Sequence, residues 1–212
     1  MKRRRAIREP YDAVLIVCEG RKTEPVYFTA LKNELRLSSV NIRICGKECG
    51  SAPLSVVDYA LSEYKKSREY DRVFCVFDKD QHETYDVALQ KIKEIKDSKK
   101  FSAITSVPCF EFWLLLHFEE SARPYASAGN NSVCDSVVHD LKRHVPNYKK
   151  GTVGIFALTY PSVDTATKRA ELLEIRQKGA NTDNPSTKVH KLVAYLRTIK
   201  KKTHLSKNIK EN

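Results

Sequence analysis

The chain has 212 residues, of which 41% are hydrophobic, and this is enough to build the core of one domain with a small appended subdomain. Lys and Arg number 38 against 26 Asp and Glu, so the net charge is +12, and the six cysteines lack the spacing of a disulfide scaffold. Because no apolar stretch could span a bilayer and no apolar signal region follows the basic residues 2–5, we expect a cytoplasmic protein that does not bind membranes.

The first 120 residues alternate between short apolar runs and stretches with helical periodicity. Four runs rich in β-branched and aromatic residues predict buried strands, at residues 14–18, 40–45, 73–77 and 101–107. The first intervening helix is predicted with Thr23 as its N-cap and Pro25 in its first turn, and a strongly apolar segment at 110–118 follows the last strand. This alternation predicts an α/β fold, with a parallel sheet, helices on both faces and right-handed crossovers.

The composition changes after about residue 120. A segment rich in Ser, Ala, Gly and Asn, residues 123–132, predicts a loop or a boundary, and helical periodicity returns at 133–141 and at 164–178. A last helix is predicted with Asn184 as its N-cap and Pro185 in its first position. We therefore divide the chain into a basic extension, an α/β core, C-terminal helical additions and a basic tail, at residues 1–11, 12–120, 121–200 and 201–212.

Three acids come directly after two of the predicted strands. Glu19 follows the run at 14–18, and Asp78 and Asp80 follow the run at 73–77. The carboxyl ends of parallel strands form the ligand-binding edge of an open α/β sheet, so these acids are expected to meet there. Gathered carboxylates repel one another and lose hydration unless they share a hard cation, and the three acids therefore predict a Mg²⁺ site. Taken singly, each acid is also compatible with an ordinary polar turn or loop.

Two further acids are candidates for the same site. Glu24 lies in the first turn of the first predicted helix, where the helix dipole favours an acid whatever its function. Glu111 interrupts an apolar run, and a buried carboxylate there needs a metal ion or a basic partner. His117, near the end of the same run, is expected to be a hydrogen-bonded structural histidine.

Two other patterns have alternatives that do not involve a site. Cys45 and Cys49 lack a second Cys or His pair at ligand spacing, so packing is favoured over zinc binding. Gly46, Gly50 and Ser51 precede a predicted helix, where backbone N–H groups could bind phosphate. A flexible turn explains these three residues equally well.

Four motifs in order resemble those of the RloB-like proteins. They are LIVCEG at 15–20 followed by Thr23, Glu24, Tyr27 and Phe28; VFDKD at 76–80; PCFEFWLLLHF at 108–118; and NPST at 184–187. A lone Glu-Gly or Asp-x-Asp would be a weak signal, whereas four motifs in this order are specific and span roughly residues 12–197. Val107 departs from the pattern, in which Asn precedes the proline. The resemblance implies a Toprim-like fold and a setting of phage defence, often beside an ATPase partner.

The resemblance also implies roles for the acids. In the Toprim pattern, Glu19 is the acid after the first strand, and Asp78 and Asp80 form the Asp-x-Asp pair. These three are predicted both as catalytic residues and as ligands of Mg²⁺ or Mn²⁺, with Glu24 and Glu111 as additional candidate ligands. In phosphodiester cleavage the ion would bind the scissile phosphate, and Glu19 would accept a proton from the attacking water.

The charge excess predicts a polyanionic partner, since neutralising phosphates and releasing counterions supplies most of the non-specific affinity for nucleic acid. We assign nucleic-acid binding to basic residues beside the acids and in a later cluster: Arg21, Lys22, Lys79, Lys149 and Lys150. The predicted function is a metal-dependent nuclease acting on RNA or DNA in anti-phage defence. The alternatives are a non-catalytic nucleic-acid-binding or regulatory subunit of an ATPase complex and, more remotely, a primase-like nucleotidyltransferase.

Overall fold

A five-stranded sheet forms the centre of the fold in the computed structural model, which describes residues 12–38 and 42–208, with side chains to Ile199. The strand order is β2-β1-β3-β4-β5; the first four strands are parallel, and β5 pairs antiparallel with β4. The bounds are β1 Val14–Cys18, β2 Ile42–Cys45, β3 Arg72–Asp78, β4 Phe101–Val107 and β5 Ser186–Thr187. The predicted α/β class with a parallel sheet is confirmed, and the architecture is consistent with a Toprim-like fold.

Helices cover both faces of this sheet. They are α1 Thr23–Glu34, α2 Pro53–Ser67, α3 Tyr85–Glu94, α4 Glu111–Leu115, α5 Val133–His144, α6 Ile155–Thr159, α7 Val163–Gly179 and α8 Val189–Asn208. Successive side chains of a strand point to opposite faces, so Ile16 belongs to the buried cluster that includes residues of α1, α4, α5, α7 and α8, whereas Leu15 belongs to the cluster that includes residues of α2 and α3. All five residues of β1 are fully buried, as expected for a strand covered on both sides.

The C-terminal helices share one apolar core with the first part of the chain. Tyr27 and Trp113 belong to the same buried cluster as Val137 and Leu192. The C-terminal helical additions are confirmed, while the domain boundary at residue 120 stays a prediction. Within the described residues, none of the helices combines the length and the apolar character needed to cross a bilayer.

Some predicted segments fall partly or wholly outside the described residues. These are the basic extension at 1–11, the first two residues of the strand expected at 40–45, and the last part of the basic tail at 209–212. The backbone of α8 continues to Asn208, into the segment that the sequence predicts as a tail.

Two helix starts differ from their predictions. Helix α1 begins at Thr23 itself, and the hydroxyl of Thr23 makes tertiary contacts and does not cap the helix. The prediction that Asn184 is the N-cap of the last helix is wrong. The Asn184 amide accepts a hydrogen bond from the Tyr125 N–H and donates one to the Tyr125 carbonyl, so a distant backbone segment satisfies it. The helix begins only at Val189, whose N–H donates to the hydroxyl oxygen of Thr187 at the end of β5.

His117 is a structural residue, as its sequence context predicts. Its ring is buried, Nδ1 lies 2.9 Å from the carbonyl oxygen of Trp113, and the two rings meet edge to face with centroids 4.6 Å apart. Burial lowers the pKa of His117 to about 4, and the positive charge of Arg169 acts in the same direction. The imidazole is therefore neutral in the folded protein near neutral pH.

This neutral histidine should make stability fall in mild acid. His117 takes up a proton below pH 6.5 in the unfolded chain but only near pH 4 in the folded protein. The contribution of the neutral histidine to the free energy of unfolding is therefore fully present above pH 6.5 and is lost as the pH falls from 6.5 to about 4. The difference corresponds to about 3 kcal/mol. We expect His117→Asn, which keeps a donor for the Trp113 carbonyl, to remove this part of the pH dependence in urea unfolding. The exposed His139→Asn is the control, and equal pH slopes for both variants would contradict the prediction.

Candidate functional site

Glu19 and Asp78 meet at the carboxyl edge of the sheet. Strands β1 and β3 are parallel neighbours with Cys18 paired to Val76, so both chains leave the sheet at the same edge. The Glu19 N–H donates to the carbonyl of Val76 at 2.8 Å, and the Asp78 N–H donates to Oε2 of Glu19 at 2.9 Å. The turn after β1 is thereby fixed to the end of β3, which is the juxtaposition that the sequence predicts.

A cavity of about 280 Å³ opens at this edge. Four of the five predicted acids line it, and each comes from a different element or from the turn after one: Glu19, Glu24, Asp78 and Glu111. The remaining lining residues are mostly polar or basic, namely Gly20, Arg21, Lys22, Thr23, Ser51 and Lys150. Acids separated by up to 92 positions in the sequence therefore share one concave surface with basic side chains at its rim.

Burial and mutual repulsion make these carboxylates unusually hard to ionise. Burial, together with the negative charges of Glu111 and Glu19, raises the pKa of Glu24 to about 8. Burial together with the charges of Glu24, Glu111 and Glu19 raises the pKa of Asp78 well above its usual range. Burial also raises the pKa of Glu19, although the hydrogen bond from Asp78 opposes the shift. Buried carboxylates that face one another across a cavity favour a positively charged ligand, because it offsets both their repulsion and their lost hydration.

Asp80 lies near Glu19 but does not line the cavity. Its N–H donates to the carbonyl of Pro108 at 2.9 Å, which turns the chain after β3, and its φ of +31° is unusual for a residue other than glycine. The negative charge of Asp80 contributes to raising the pKa of Glu19. Among the described residues, the buried Oδ1 of Asp80 has no hydrogen-bond partner. A buried carboxylate oxygen left in this way is available to a ligand that the protein itself does not supply.

Glu111 has the partners that its apolar surroundings require. The Tyr148 hydroxyl donates to Oε1 of Glu111 at 2.9 Å, and the Thr23 hydroxyl lies 3.4 Å from the same oxygen. Nζ of Lys150 is 3.9 Å from the other oxygen, Oε2. Burial opposes protonation of Lys150, but the negative charge of Glu111 prevails and raises the pKa of the lysine. The sequence-based expectation of a basic partner for a buried Glu111 is thus met by Lys150.

A tight loop places Lys150 at the cavity. Gly151 has a φ of +82°, which favours glycine, and its N–H donates to the Thr23 hydroxyl at 3.2 Å. A Cβ at this position would lie 3.0 Å from the Cβ of Lys22, so the loop approaches the start of α1 closely. The Lys149 N–H donates to the Thr152 hydroxyl at 2.8 Å and closes the turn. The loop therefore brings Lys150 and Lys22 to the same rim.

The predicted nucleic-acid contacts lie in three different places. Arg21, Lys22 and Lys150 line the cavity, and Lys149 is exposed beside Lys150. Lys79 does not line it, because Nζ binds Oδ2 of Asp183 at 2.6 Å and lies 5.5 Å from the centre of the Tyr85 ring. Several other basic side chains away from the rim also have acid partners, in the pairs Arg43–Glu63, Lys91–Asp58, Arg176–Glu120 and Lys191–Glu174. Nucleic-acid binding by any of these residues stays a prediction.

The glycines after β2 support the turn that carries Glu19. A Cβ on Gly46 would lie 2.7 Å from the carbonyl oxygen of Gly20 and 2.4 Å from Cγ of Pro25, so only glycine fits between them. The Cys49 thiol donates to the carbonyl of Cys18 at 2.8 Å, and all six cysteines are free and buried. Packing therefore explains Gly46 and Cys49.

Two residues of the site escape sequence reasoning. Nε2 of His82 lies 2.9 Å from Oε1 of Glu19, and Tyr148 holds Glu111 as described above. His82 could have been noticed because it is a histidine two residues after Asp80, in the same polar segment. Tyr148 offers no comparable signal, because its contact spans 37 positions and two helices.

The motifs that carry these side chains can be compared with known families. A family model described as RloB-like protein matches residues 14–196, which include all five acids, His82 and Tyr148. The chain belongs to the RloB-like family. No curated protein and no solved structure matches it. In this RloB-like protein, the described residues contain no group of three or more His, Cys, Asp or Glu side chains already arranged to hold a metal ion.

Proposed function

We propose that this RloB-like protein is a hydrolase that uses Mg²⁺ or Mn²⁺ to cleave phosphodiester bonds in RNA or DNA, and that it acts in anti-phage defence inside the cell. The observation that carries the proposal is the cavity at the carboxyl edge, where four acids lie beneath a basic rim. Such chemistry requires carboxylates that share a hard cation and basic side chains that bind phosphate. Family membership supports the defence role through the resemblance described above.

The residues present fit a hard divalent cation. All the acidic donors are carboxylate oxygens, their charges repel one another, and the buried Oδ1 of Asp80 has no partner among the described residues. Glu19 and Asp78 in the cavity and Asp80 beside it would hold the ion, with Glu24 and Glu111 as further ligands. When bound, the ion supplies positive charge that stabilises the negative charge developing on the scissile phosphate.

The side chains of the protein have separate tasks in this scheme. Glu19 accepts a proton from the attacking water, for which its place at the cavity wall is suitable. Arg21 and Lys22 bind phosphate groups of the substrate at the rim. Lys150 lines the cavity with a side chain that is 58% exposed, so it can contact a phosphate oxygen while it remains close to Glu111. The buried acid Glu111 keeps its orientation through the hydroxyl of Tyr148.

The direct test uses the full chain with three substrates: mixed tRNA, plasmid DNA and single-stranded DNA. Each is incubated with Mg²⁺ or Mn²⁺, with and without a chelator, and the series is repeated with any ATPase that is encoded beside the protein. We expect cleavage of at least one substrate that the chelator abolishes. Nucleic-acid binding without cleavage under all these conditions would instead support a regulatory subunit.

Binding to nucleic acid should depend on the rim and on salt. Each phosphate neutralised contributes a slope of about 0.9 for duplex DNA and about 0.7 for single strands in a plot of log affinity against log salt. In the presence of chelator, we expect Lys22→Glu and Lys149→Glu each to weaken binding. Each should also reduce the slope by about the amount that one phosphate contact contributes. Fluorescence anisotropy at several salt concentrations measures both quantities.

The matched control is Lys65→Glu, because Lys65 is also exposed but lies in the last turn of α2, away from the cavity. It changes the net charge by the same amount as each rim variant. If Lys65→Glu weakened binding as much as Lys22→Glu, the affinity would come from overall charge, and the rim would not be the binding surface.

A further inference from the structure

Both carboxylate oxygens of Glu19 are held by hydrogen bonds from one segment. Oε2 accepts the N–H of Asp78 at 2.9 Å, and Oε1 lies 2.9 Å from Nε2 of His82. A carboxylate must be ionised to bind a cation, and in that state it only accepts hydrogen bonds, so the ring of His82 is then the donor in this contact. The residue after β1 is therefore oriented from two sides by the chain that leaves β3.

The segment that carries His82 is itself fixed. The His82 N–H donates to the carbonyl of Lys79 at 3.0 Å, and the Tyr85 N–H donates to the carbonyl of His82 at 3.2 Å, so the turn leads directly into α3. The imidazole is 34% exposed, whereas the side chain of Glu19 is only 11% exposed. The contact thus joins a histidine at the surface to a largely buried acid, and it differs from a fully exposed ion pair, which contributes little.

We propose that His82 is a positioning residue that holds the carboxylate of Glu19 in the orientation needed to bind the cation. The inference rests on the proposed function, because it assigns a supporting partner to an acid of that site. A glutamate has three rotatable side-chain bonds, and a donor on each oxygen restricts them before any ligand arrives. Partners that orient metal ligands typically change metal affinity or activity 10- to 100-fold when they are removed.

The test compares two substitutions of His82. His82→Leu removes the donor at similar volume, whereas His82→Gln keeps an N–H group that can reach Oε1 of Glu19. We expect His82→Leu to weaken Mn²⁺ binding, measured by isothermal titration calorimetry, by about 10- to 100-fold, and His82→Gln to restore it to within a few-fold. In the cleavage assay, the half-saturating cation concentration should rise in His82→Leu while the KM for nucleic acid stays unchanged. The neighbouring exposed Glu83→Gln is the control.

A second measurement needs no cation. Urea unfolding of His82→Leu, Glu19→Gln and the double variant forms a double-mutant cycle, and we expect the two single effects to be non-additive because the residues share one contact. Additive effects, or a His82→Leu variant that binds Mn²⁺ as the parent does, would overturn the positioning role. If the parent protein bound no cation and cleaved nothing, the proposed function would fail, and the cycle would still decide whether His82 holds Glu19.

Discussion

Glu19→Gln is expected to reduce phosphodiester cleavage by about 10²- to 10⁴-fold, the range typical of a lost acid–base group. Folding stability should stay the same or rise slightly. Burial and the negative charge of Asp80 disfavour the ionised carboxyl, and the neutral amide removes that repulsion while its oxygen can still accept the N–H of Asp78. Cleavage rates at saturating Mg²⁺ and urea unfolding curves measure the two effects.

Glu83→Gln provides a matched control for the loss of a carboxylate in the same region. Glu83 is exposed and lies one residue after His82, outside the cavity lining. It should cleave at the parental rate. Equal rates for Glu19→Gln and the parent would remove Glu19 from the mechanism and would favour the non-catalytic subunit.

Gly46→Ala is expected to impair both stability and cleavage. The new Cβ would lie 2.7 Å from the carbonyl oxygen of Gly20 and 2.4 Å from a ring carbon of Pro25, so the turn that carries Glu19 or the start of α1 has to move. Overpacking of this kind costs about 1 to 3 kcal/mol. Because Glu19 precedes Gly20 directly, the displacement should also lower the cleavage rate. Urea unfolding and initial rates measured at a temperature where the variant is folded separate the two effects.

Gly179→Ala tests whether any glycine-to-alanine change would do the same. Gly179 ends α7, its φ is not positive, and a Cβ there would have no neighbour within 4 Å. We expect its cleavage rate to match that of the parent and its stability to be equal or slightly higher, because alanine is favoured over glycine in a helix. A Gly46→Ala variant that behaved like Gly179→Ala would show that the turn tolerates the added methyl group and that the close approach does not support Glu19.

The strand positions follow from the sequence because a buried parallel strand must be apolar on both faces. The run at 101–107 predicts β4 with the bounds that the structure has, and the run at 14–18 does the same for β1. Acids that follow such strands directly are constrained to one edge of the sheet, so the proximity of Glu19 and Asp78 could also be predicted. Local pattern was sufficient for these features.

The remaining features depend on contacts between distant segments, which periodicity does not report. Asn184 has the residue type of a helix cap, but the backbone of Tyr125 provides a better set of partners for its amide. Lys79 follows Asp78 directly, yet its side chain leaves the cavity because Asp183 and Tyr85 attract it elsewhere. The hydroxyl of Tyr148 reaches Glu111 from the segment just before the loop at 149–152, and that loop is bound to Thr23 of α1.

The attachment of that loop determines how late during synthesis the cavity can be completed. A ribosome releases the chain from its N-terminus, so the five acids have all been synthesised once Glu111 is complete. The hydroxyl that holds Glu111 arrives 37 residues later, and the Gly151 N–H that binds Thr23 arrives 128 residues after its partner. For an enzyme of the proposed kind, the nascent chain therefore carries the five acids before Lys150 and Tyr148 are made, and the cavity is completed only late in translation. A nuclease assembled in this order therefore has an incomplete site during most of the time that it is bound to the RNA-rich ribosome.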